Sequence, residues 1–229
     1  MKKRPVLTML SGPAASVMGS LMYLRASNGV YFEVGGTTTN IGVIKNGRPA
    51  IDYTIIGGHR TYVSSLDVRV IGDAGGSMIR ANKEGVFDVG PRSAHIAGLE
   101  YAVFTPLEEI VDPKLEFISP KPGDPSDYVQ IRLASGKAVA ITNTCAANAL
   151  GLVDPKYFSY GIVESARKCM EPLAEYCGCT VDKIATQILD RAVEKIKPII
   201  DELAEKYKMD PMQMSFVGVG GGAASLICY

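Results

Sequence analysis

Hydrophobic positions in the first fifty residues change from helical to strand-like spacing. Residues 16–25 place apolar side chains three or four positions apart, which predicts a short helix. Residues 30–34 and 40–45 are compact apolar runs, with Gly35 and Gly36 between them. Two such runs around a glycine pair predict two strands joined by a tight turn.

The middle of the chain, residues 50–140, has the pattern of a β-rich insertion. Its strand-like pieces include residues 51–56 and 68–71. A second glycine-rich turn is predicted at 73–77, and three prolines between residues 120 and 125 predict an irregular loop.

The last part, residues 141–229, returns to helical spacing. Residues 143–150 and 159–177 carry a helical pattern, and Pro172 is expected to interrupt the second. The pattern is longest over residues 180–207, where apolar side chains recur at three- to five-residue steps.

Further signals mark the start of this long helix and a point in its second half. Thr180 is a suitable N-cap, Asp182 complements the positive end of the helix, and Pro198 predicts a kink. Residues 216–219 then predict a short buried strand that leads into three glycines at 220–222.

Composition narrows the class of protein. The 24 basic residues balance 24 acidic ones, so no net charge favours nucleic acid or an anionic membrane. No run of eighteen apolar residues predicts a membrane span, and Gly12 and Pro13 interrupt the apolar stretch that a signal peptide would need. We therefore expect a soluble, cytoplasmic protein that binds neither nucleic acid nor a membrane.

The cysteines and histidines predict neither disulfides nor a metal site. Neither His59 nor His95 has a partner at metal-ligand spacing. The odd number of cysteines is typical of reduced thiols in a reducing compartment. The five cysteines are Cys145, Cys169, Cys177, Cys179 and Cys228.

The most specific motif is Tyr31-Phe-Glu-Val-Gly-Gly-Thr-Thr-Thr-Asn-Ile-Gly-Val-Ile44. Its glycines allow close approach of the backbone to an anion, and successive N–H groups at such a turn suit phosphate oxygens. Thr37, Thr38 and Thr39 add hydroxyl donors. The turn leads into a strand, whereas a Walker loop and a dinucleotide fingerprint lead into a helix. The alternative is an ordinary hairpin turn without a ligand.

A second motif is Val217-Gly-Val-Gly-Gly-Gly-Ala-Ala-Ser225. A strand that ends in three glycines leaves bare backbone on which a base or a sugar can rest. The alternative is a strand cap followed by a short helix. Both motifs together favour a nucleotide, because a nucleotide needs a phosphate turn and a surface for the nucleoside.

Six motifs follow one another along the chain. They are Leu10-Ser-Gly-Pro-Ala-Ala-Ser-Val-Met-Gly19, Phe32-Glu-Val-Gly-Gly-Thr-Thr-Thr-Asn40, Asp73-Ala-Gly-Gly-Ser77, Val89-Gly-Pro-Arg-Ser93, residues 142–151 with Tyr157-Phe158, and the glycines at 220–222. Their order resembles the hydantoinase/oxoprolinase family over nearly the whole chain. The resemblance implies an α/β fold, a ribonuclease-H-like lobe of the actin-like ATPase type with a β-rich insertion. It also implies ATP bound between two lobes and hydrolysed to open cyclic amides such as hydantoins or 5-oxoproline, whereas relatives carboxylate ketones.

The resemblance assigns roles to individual positions. It makes the turn of Gly35, Gly36, Thr37 and Thr38 the family's second phosphate loop. It implies that the adenosine is contacted by four consecutive residues, Gly220, Gly221, Gly222 and Ala223.

Two positions depart from the family pattern. Glu33 and Asn40 stand where the family usually has aspartate. The resemblance implies Mg²⁺, and a glutamate can reach it through a water, since Mg²⁺ keeps much of its hydration shell. Asn40 supplies no charge, so these changes bear on hydrolysis more than on binding.

Family members carry a first phosphate loop in an additional N-terminal region, and no second copy of the hairpin motif precedes residue 30. We therefore expect the chain to supply one half of the nucleotide cleft. An N-terminal lobe or a second subunit would complete it.

Catalytic groups are not determined by the sequence. Asp52, Asp67 and Asp73 are carboxylates that could hold a metal or a water, or be solvated turn and strand residues. No serine or cysteine has an evident base beside it. Three functions stay open: an ATP-dependent cyclic amide hydrolase, a non-catalytic nucleotide-binding or regulatory protein, and a scaffold that binds no nucleotide.

Overall fold

The computed structural model describes residues 11–24, 27–56, 58–227 and 229. Within these ranges the helices are α1 (Ser11–Leu24), α2 (Ala94–Ala97), α3 (Asn143–Ala149), α4 (Val163–Cys177), α5 (Val181–Lys206) and α6 (Ala223–Leu226). The strands are β1 (Gly29–Val34), β2 (Thr39–Lys45), β3 (Arg48–Pro49), β4 (Ile51–Ile56), β5 (His59–Leu66), β6 (Val68–Ile71), β7 (Ser77–Asn82), β8 (Gly85–Ser93), β9 (Glu100–Tyr101), β10 (Lys114–Ile118), β11 (Tyr128–Arg132), β12 (Ala138–Ala140) and β13 (Ser215–Val219).

The chain divides into two compact units, each built from three stretches that alternate along the sequence. Unit 1 is Met1–Glu33, Asn40–Val70 and Lys197–Val219. Unit 2 is Val34–Thr39, Ile71–Ile196 and Gly220–Tyr229. The boundaries expected at residues 50 and 140 stay a prediction.

Unit 1 contains a mixed sheet in the order β13-β1-β2-β3, with β6 beside β2. β13 runs parallel to β1, with Gly29 opposite Ser215 and Glu33 opposite Val219. The sheet packs on α1, the helix that the spacing of residues 16–25 predicts. α1 begins five residues earlier than predicted, because the first turn of a helix tolerates a proline. Residue 25 lies outside the described part. The buried side chains are Val17, Tyr31, Ile44 and Val217.

The prediction that β13 is buried is wrong. Val217 is its one buried residue, and Phe216 is 53% exposed. The physical reason is its place at the edge of the sheet, where only the face toward the core is covered. A short apolar run fits an edge strand as well as a central one.

Unit 2 contains a sheet in the order β8-β7-β11-β12-β9, with β10 also paired to β11. Most pairs are antiparallel, whereas β12 and β9 run parallel. Its core includes Met78, Ala94, Tyr128 and Ala140. Every residue of α3 is buried, and the hydroxyl of Thr142 caps it by accepting from the Cys145 N–H.

The predicted long helices form, with one correction. The hydroxyl of Thr180 accepts from the Lys183 N–H at 3.2 Å, which confirms the predicted cap of α5. α4 passes through Pro172 without the expected interruption, because its buried stripe, including Met170 and Leu173, continues across the proline. α5 spans Pro198, and the kink expected there stays a prediction.

The described helices include none that is long and apolar enough to cross a bilayer.

Candidate functional site

Three glycine turns, far apart in the sequence, meet in unit 2. The predicted phosphate turn at 35–36 contacts both the turn at 75–76 and the glycines at 220–222. The contacts are backbone hydrogen bonds, from Gly75 N–H to Gly35 O (3.1 Å), from Gly76 N–H to Gly36 O (3.1 Å) and from Gly222 N–H to Val34 O (3.0 Å). The structure thus brings together the two motifs that the sequence analysis singled out.

Glycine is required where these turns touch. A Cβ on Gly222 would lie 2.7 Å from Gly35 O, and one on Gly220 would lie 2.5 Å from Val34 O. Gly220 also has a φ of +90°, which other residues rarely adopt. A side chain at either position would push the turns apart.

The turns border an open cavity of about 150 Å³. It is lined by glycines, aromatic residues, a threonine and a serine, and none of the lining residues is charged. The lining is Gly35, Gly36, Gly75, Tyr101, Phe104, Thr144, Phe158, Ser159, Gly221 and Gly222.

Tyr101 fits against two of the glycines. Its hydroxyl oxygen would lie 1.8 Å from a Cβ on Gly76 and 3.0 Å from one on Gly36, so this position of the phenol depends on glycine. The ring stacks on Phe104 with centroids 5.7 Å apart. Burial raises the pKa of Tyr101, so its hydroxyl stays protonated and remains a donor.

Some backbone donors at the turns are left over. The Gly35 N–H is taken by Thr38 O at 3.1 Å, and the Ala223 N–H is taken by Gly220 O at 3.2 Å. Within the described part of the chain, the N–H groups of Gly36 and Gly221 have no acceptor. Free N–H groups at a glycine turn are the donors that suit an anion.

The three threonines of the phosphate turn differ in what their hydroxyls do. Thr39 is buried and donates to Asp73 O at 2.5 Å, so it secures the turn. Thr37 lies 2.9 Å from the Ser93 hydroxyl. Thr38 is exposed, and its hydroxyl has no partner among the described residues. Of the three, Thr38 is free to meet a ligand.

Asp73 is buried beside this turn. Its Oδ1 accepts from Asn143 Nδ2 at 2.7 Å, whereas its Oδ2 and Asn143 Oδ1 are both buried without a partner in the described structure. Burial disfavours the charged form and raises the pKa of Asp73 to about 6. A buried carboxyl in this state packs the turn, and it does not line the cavity.

The other two carboxylates lie in unit 1, in a cluster of ion pairs. Lys206 Nζ lies 2.6 Å from both Asp52 and Asp67, and Tyr207 donates to Asp67 at 2.6 Å. Burial alone would raise the pKa of Asp67, but hydrogen bonds from Lys206, Tyr207 and Arg69 lower it. These contacts tie the end of α5 to β4 and to the residue between β5 and β6, which is a structural role.

Glu33 and Asn40, the two departures from the family pattern, also lie in unit 1 and bond to each other. Asn40 Nδ2 donates to Glu33 Oε2 at 2.8 Å. The other carboxylate oxygen has no partner among the described residues. The pair thus leaves one oxygen available to a cation, while the amide takes the place that a second carboxylate would fill.

The described thiols and imidazoles form no metal cluster. Cys145 and Cys169 are buried, and burial raises the pKa of both. Cys228 lies outside the described residues. In the part of the chain that the structure describes, no three of the residues His, Cys, Asp and Glu are grouped as a metal site would require.

Sequence reasoning missed the side-chain walls of the cavity. Tyr101 and Phe104 follow no glycine motif, and Ser159 is an isolated hydroxyl in a loop. Two segments of the family motif series do reach the cavity: residues 142–151 supply Thr144, and Tyr157-Phe158 supplies an exposed ring. The turn at 75–76 was predicted as a turn, but not as the partner of Gly35 and Gly36.

Comparisons with known proteins agree with the motif series. A family model described as hydantoinase/oxoprolinase matches residues 1–229. The 5-oxoprolinase of Saccharomyces cerevisiae is 37% identical over 92 residues, which cover 38% of this chain and 7% of the yeast protein.

Two solved structures share the fold. Nucleotide-free acetone carboxylase superposes with a TM-score of 0.55 at 13% identity, covering 88% of this chain and 25% of that one. The ATP-dependent caprolactamase from Pseudomonas jessenii gives 0.61 at 22% identity, covering 93% and 28%. This chain therefore spans only about a quarter of these proteins, or less. The likenesses confirm the predicted α/β fold class, and the match along the whole sequence shows that the chain belongs to the hydantoinase/oxoprolinase family.

Proposed function

We propose that this chain supplies the nucleotide-binding part of an ATP-dependent enzyme that opens a cyclic amide of the hydantoin or 5-oxoproline type. The observation that carries the proposal is the meeting of three glycine turns around one cavity, with the N–H groups of Gly36 and Gly221 left free. Glycine turns with free donors suit phosphate oxygens. The names of two relatives, a 5-oxoprolinase and an ATP-dependent caprolactamase, support ATP and a cyclic amide.

The phosphate end of the nucleotide is assigned to Gly35, Gly36 and Thr38, and the nucleoside to the backbone at 220–223. Thr37 and Thr39 support this turn through their own hydrogen bonds. Positioning and charge stabilisation are most of what a protein contributes to phosphoryl transfer. The turn would hold the phosphates in place.

Glu33 is the residue proposed to hold Mg²⁺. Its free carboxylate oxygen fits, because Mg²⁺ prefers oxygen ligands and binds through few carboxylates while keeping several waters. In phosphoryl transfer, Mg²⁺ neutralises charge on the phosphates. Asn40, which donates to the other oxygen of Glu33, orients the carboxylate.

A cleft closed from two sides positions a γ-phosphate better than one wall does. We therefore propose that another lobe or a second subunit completes the site that this chain begins.

Thermal unfolding with and without millimolar MgATP tests the nucleotide site. A ligand at a hundred times its Kd stabilises by about 2.7 kcal/mol, which raises Tm by roughly 5–10 °C in a domain of this size. Gly36→Val fills the cavity beside Tyr101 and should abolish the shift, whereas Gly19→Val, at a glycine with no atom within 4 Å of its Cβ position, should keep it. A full shift in Gly36→Val would refute the assignment.

The amide-opening activity is tested by ATP turnover after the completing lobe or subunit is added. Hydantoin or 5-oxoproline should stimulate ATP turnover. If neither compound stimulates it, the proposed activity is refuted.

The pairing of Asn40 with Glu33 favours a second candidate, a non-catalytic nucleotide-binding or regulatory protein. The double variant Glu33→Asp/Asn40→Asp distinguishes the two. An enzyme should gain ATP turnover from a second carboxylate, whereas a binding protein should bind MgATP as before without turnover. A scaffold would show no MgATP shift, and Gly36→Val would change only its stability.

A further inference from the structure

Strand β10 lies at an edge of the sheet in unit 2. It pairs with β11, from Lys114 opposite Arg132 to Ile118 opposite Tyr128, and no other described strand pairs with it. None of its five residues is buried, whereas four of the five residues of β11 are. Alternate residues of an antiparallel strand point their N–H and C=O groups away from the neighbouring strand. One side of β10 therefore presents backbone groups to which a further strand can bond.

The side chains of β10 alternate between an apolar face and a charged one. Leu115 and Phe117 lie on the face toward α4, where the rings of Phe117 and Tyr176 meet edge to face with centroids 5.4 Å apart. Lys114 and Glu116 lie on the opposite face. An added strand would thus meet an apolar surface on one side of the sheet and two charges of opposite sign on the other.

An open groove of about 530 Å³ lies between β10 and α4. β10 contributes Leu115 and Phe117 to it, and α4 contributes Pro172 and Tyr176. A groove beside an open strand edge suits an extended segment, because the edge supplies main-chain hydrogen bonds and the groove takes side chains.

The two charges make β10 complementary to itself. In an antiparallel pair centred on Leu115, Lys114 of each copy lies opposite Glu116 of the other copy. A two-fold axis through the sheet places residues of the same face opposite each other, so the neighbouring registers are centred on Lys114 or on Glu116. Either of these places like charges opposite each other, which is unfavourable. The charges therefore favour the register centred on Leu115.

Both charged side chains have room for a second partner. Lys114 pairs with Asp112 at 2.9 Å, and its side chain is 69% exposed. Glu116 pairs with Arg132 at 3.0 Å, and its side chain is 38% exposed. Exposed ion pairs and cross-strand charge pairs each contribute little free energy. The charges thus select the register, and the backbone and the apolar face supply most of the affinity.

We propose that β10 pairs with β10 of a second copy of this chain, antiparallel and centred on Leu115, so that the sheets of the two copies join into one. Such an interface is isologous, because the same strand is used by both copies. The inference goes beyond the proposed nucleotide function, and Lys114, Leu115 and Glu116 do not line the cavity at the glycine turns.

Sedimentation velocity of the full chain between about 5 and 500 µM tests the association, a range suited to a small interface. The average mass should rise toward twice that of the monomer as the concentration increases. Lys114→Glu and Glu116→Lys each place like charges opposite each other at two points of the interface, so each should weaken association at least about 10-fold. A chain that stays monomeric over this range would overturn the proposal.

Mixing these two variants tests the register. In a mixed pair, position 114 of each chain again faces the opposite charge at position 116 of the other chain. An equimolar mixture should therefore associate about as tightly as the unchanged chain, although each variant alone does not. Lys156→Glu is a matched control, because Lys156 is also exposed and pairs with an aspartate two residues earlier, at 3.1 Å, but lies outside β10. This control should associate as the unchanged chain does.

A second pair of variants does not depend on the bond between Glu116 and Arg132. Position 115 lies opposite itself in the proposed register, so Leu115→Lys and Leu115→Glu should each associate poorly alone and well when mixed. Circular dichroism confirms that each variant is folded. Association that Lys114→Glu weakens no more than Lys156→Glu does, or mixtures of folded variants that stay monomeric, would overturn the proposal.

Discussion

Replacing Asp73 by asparagine should stabilise the protein, and more so at higher pH. The folded state raises the pKa of this carboxyl from 3.8 to about 6, chiefly by burial. When folding raises the pKa of a carboxyl, the protein has its full stability below the pKa that this group has in the unfolded chain. The protein loses stability as the pH rises through the pKa that the group has in the folded state. At neutral pH the folded protein therefore carries a buried charge, which an amide would not have.

The magnitude follows from the shift. About two pKa units at about 1.4 kcal/mol each give a cost of about 3 kcal/mol at pH 8, and the linkage relation leaves about 1 kcal/mol of it at pH 4.5. Asp73→Asn removes this cost. The new amide can also donate to Asn143 Oδ1, which is buried without a partner in the described structure, while still accepting from Asn143 Nδ2.

Urea unfolding followed by circular dichroism between pH 4.5 and 8 measures this directly, since the chain has no tryptophan to report by fluorescence. The difference in free energy of unfolding between Asp73→Asn and the unchanged protein should rise with pH across this range. A difference that is flat, or a variant that is less stable at pH 8, would refute the account of Asp73 as a charge buried at a cost.

Three further predictions concern other contacts. Asp67→Asn should destabilise by about 2 kcal/mol at pH 7, because its pKa is lowered by its ion pairs, and this loss should shrink as pH falls below 4, the opposite pH trend in the same urea assay. Gly220→Ala should cost more in thermal unfolding than Gly136→Ala, since both glycines have positive φ (+90° and +86°) but only the first also meets backbone, at 2.5 Å; equal costs would remove the steric argument. Asn40→Asp places a second carboxylate beside Glu33, so Tm should fall in EDTA and return to the original value in millimolar Mg²⁺. A Tm of this variant that does not change with Mg²⁺ would count against a metal at Glu33.

Much of the fold could be predicted because its local signals are strong. The two apolar runs around Gly35 and the long stripe of α5 each carry their own period, and the Thr180 cap marks a helix start. The prediction failed where a neighbour decided the outcome. The burial of β13 depends on its position in the sheet, and Pro172 is tolerated because the rest of α4 is packed.

The candidate site also combines features that the sequence predicts with features that depend on tertiary structure. Glycine turns at 35–36 and 220–222 are visible in the sequence, because glycine marks unusual backbone. Their meeting is decided by tertiary structure, and so is the position of Tyr101, whose hydroxyl lies against Gly76 although the two residues are distant in the sequence. Asp73 could be named from the sequence but not interpreted, since its burial and its pairing with Asn143 come from packing.

The convergence of the three glycine turns has a consequence for the order of folding. About 40 residues separate the first turn from the second, and almost 150 more separate the second from the third. Loops of this length are slow to close, and contacts between distant residues form late. We therefore expect the helices and the antiparallel strands to appear first during refolding, and the capacity to bind a ligand to return in a later, slower phase.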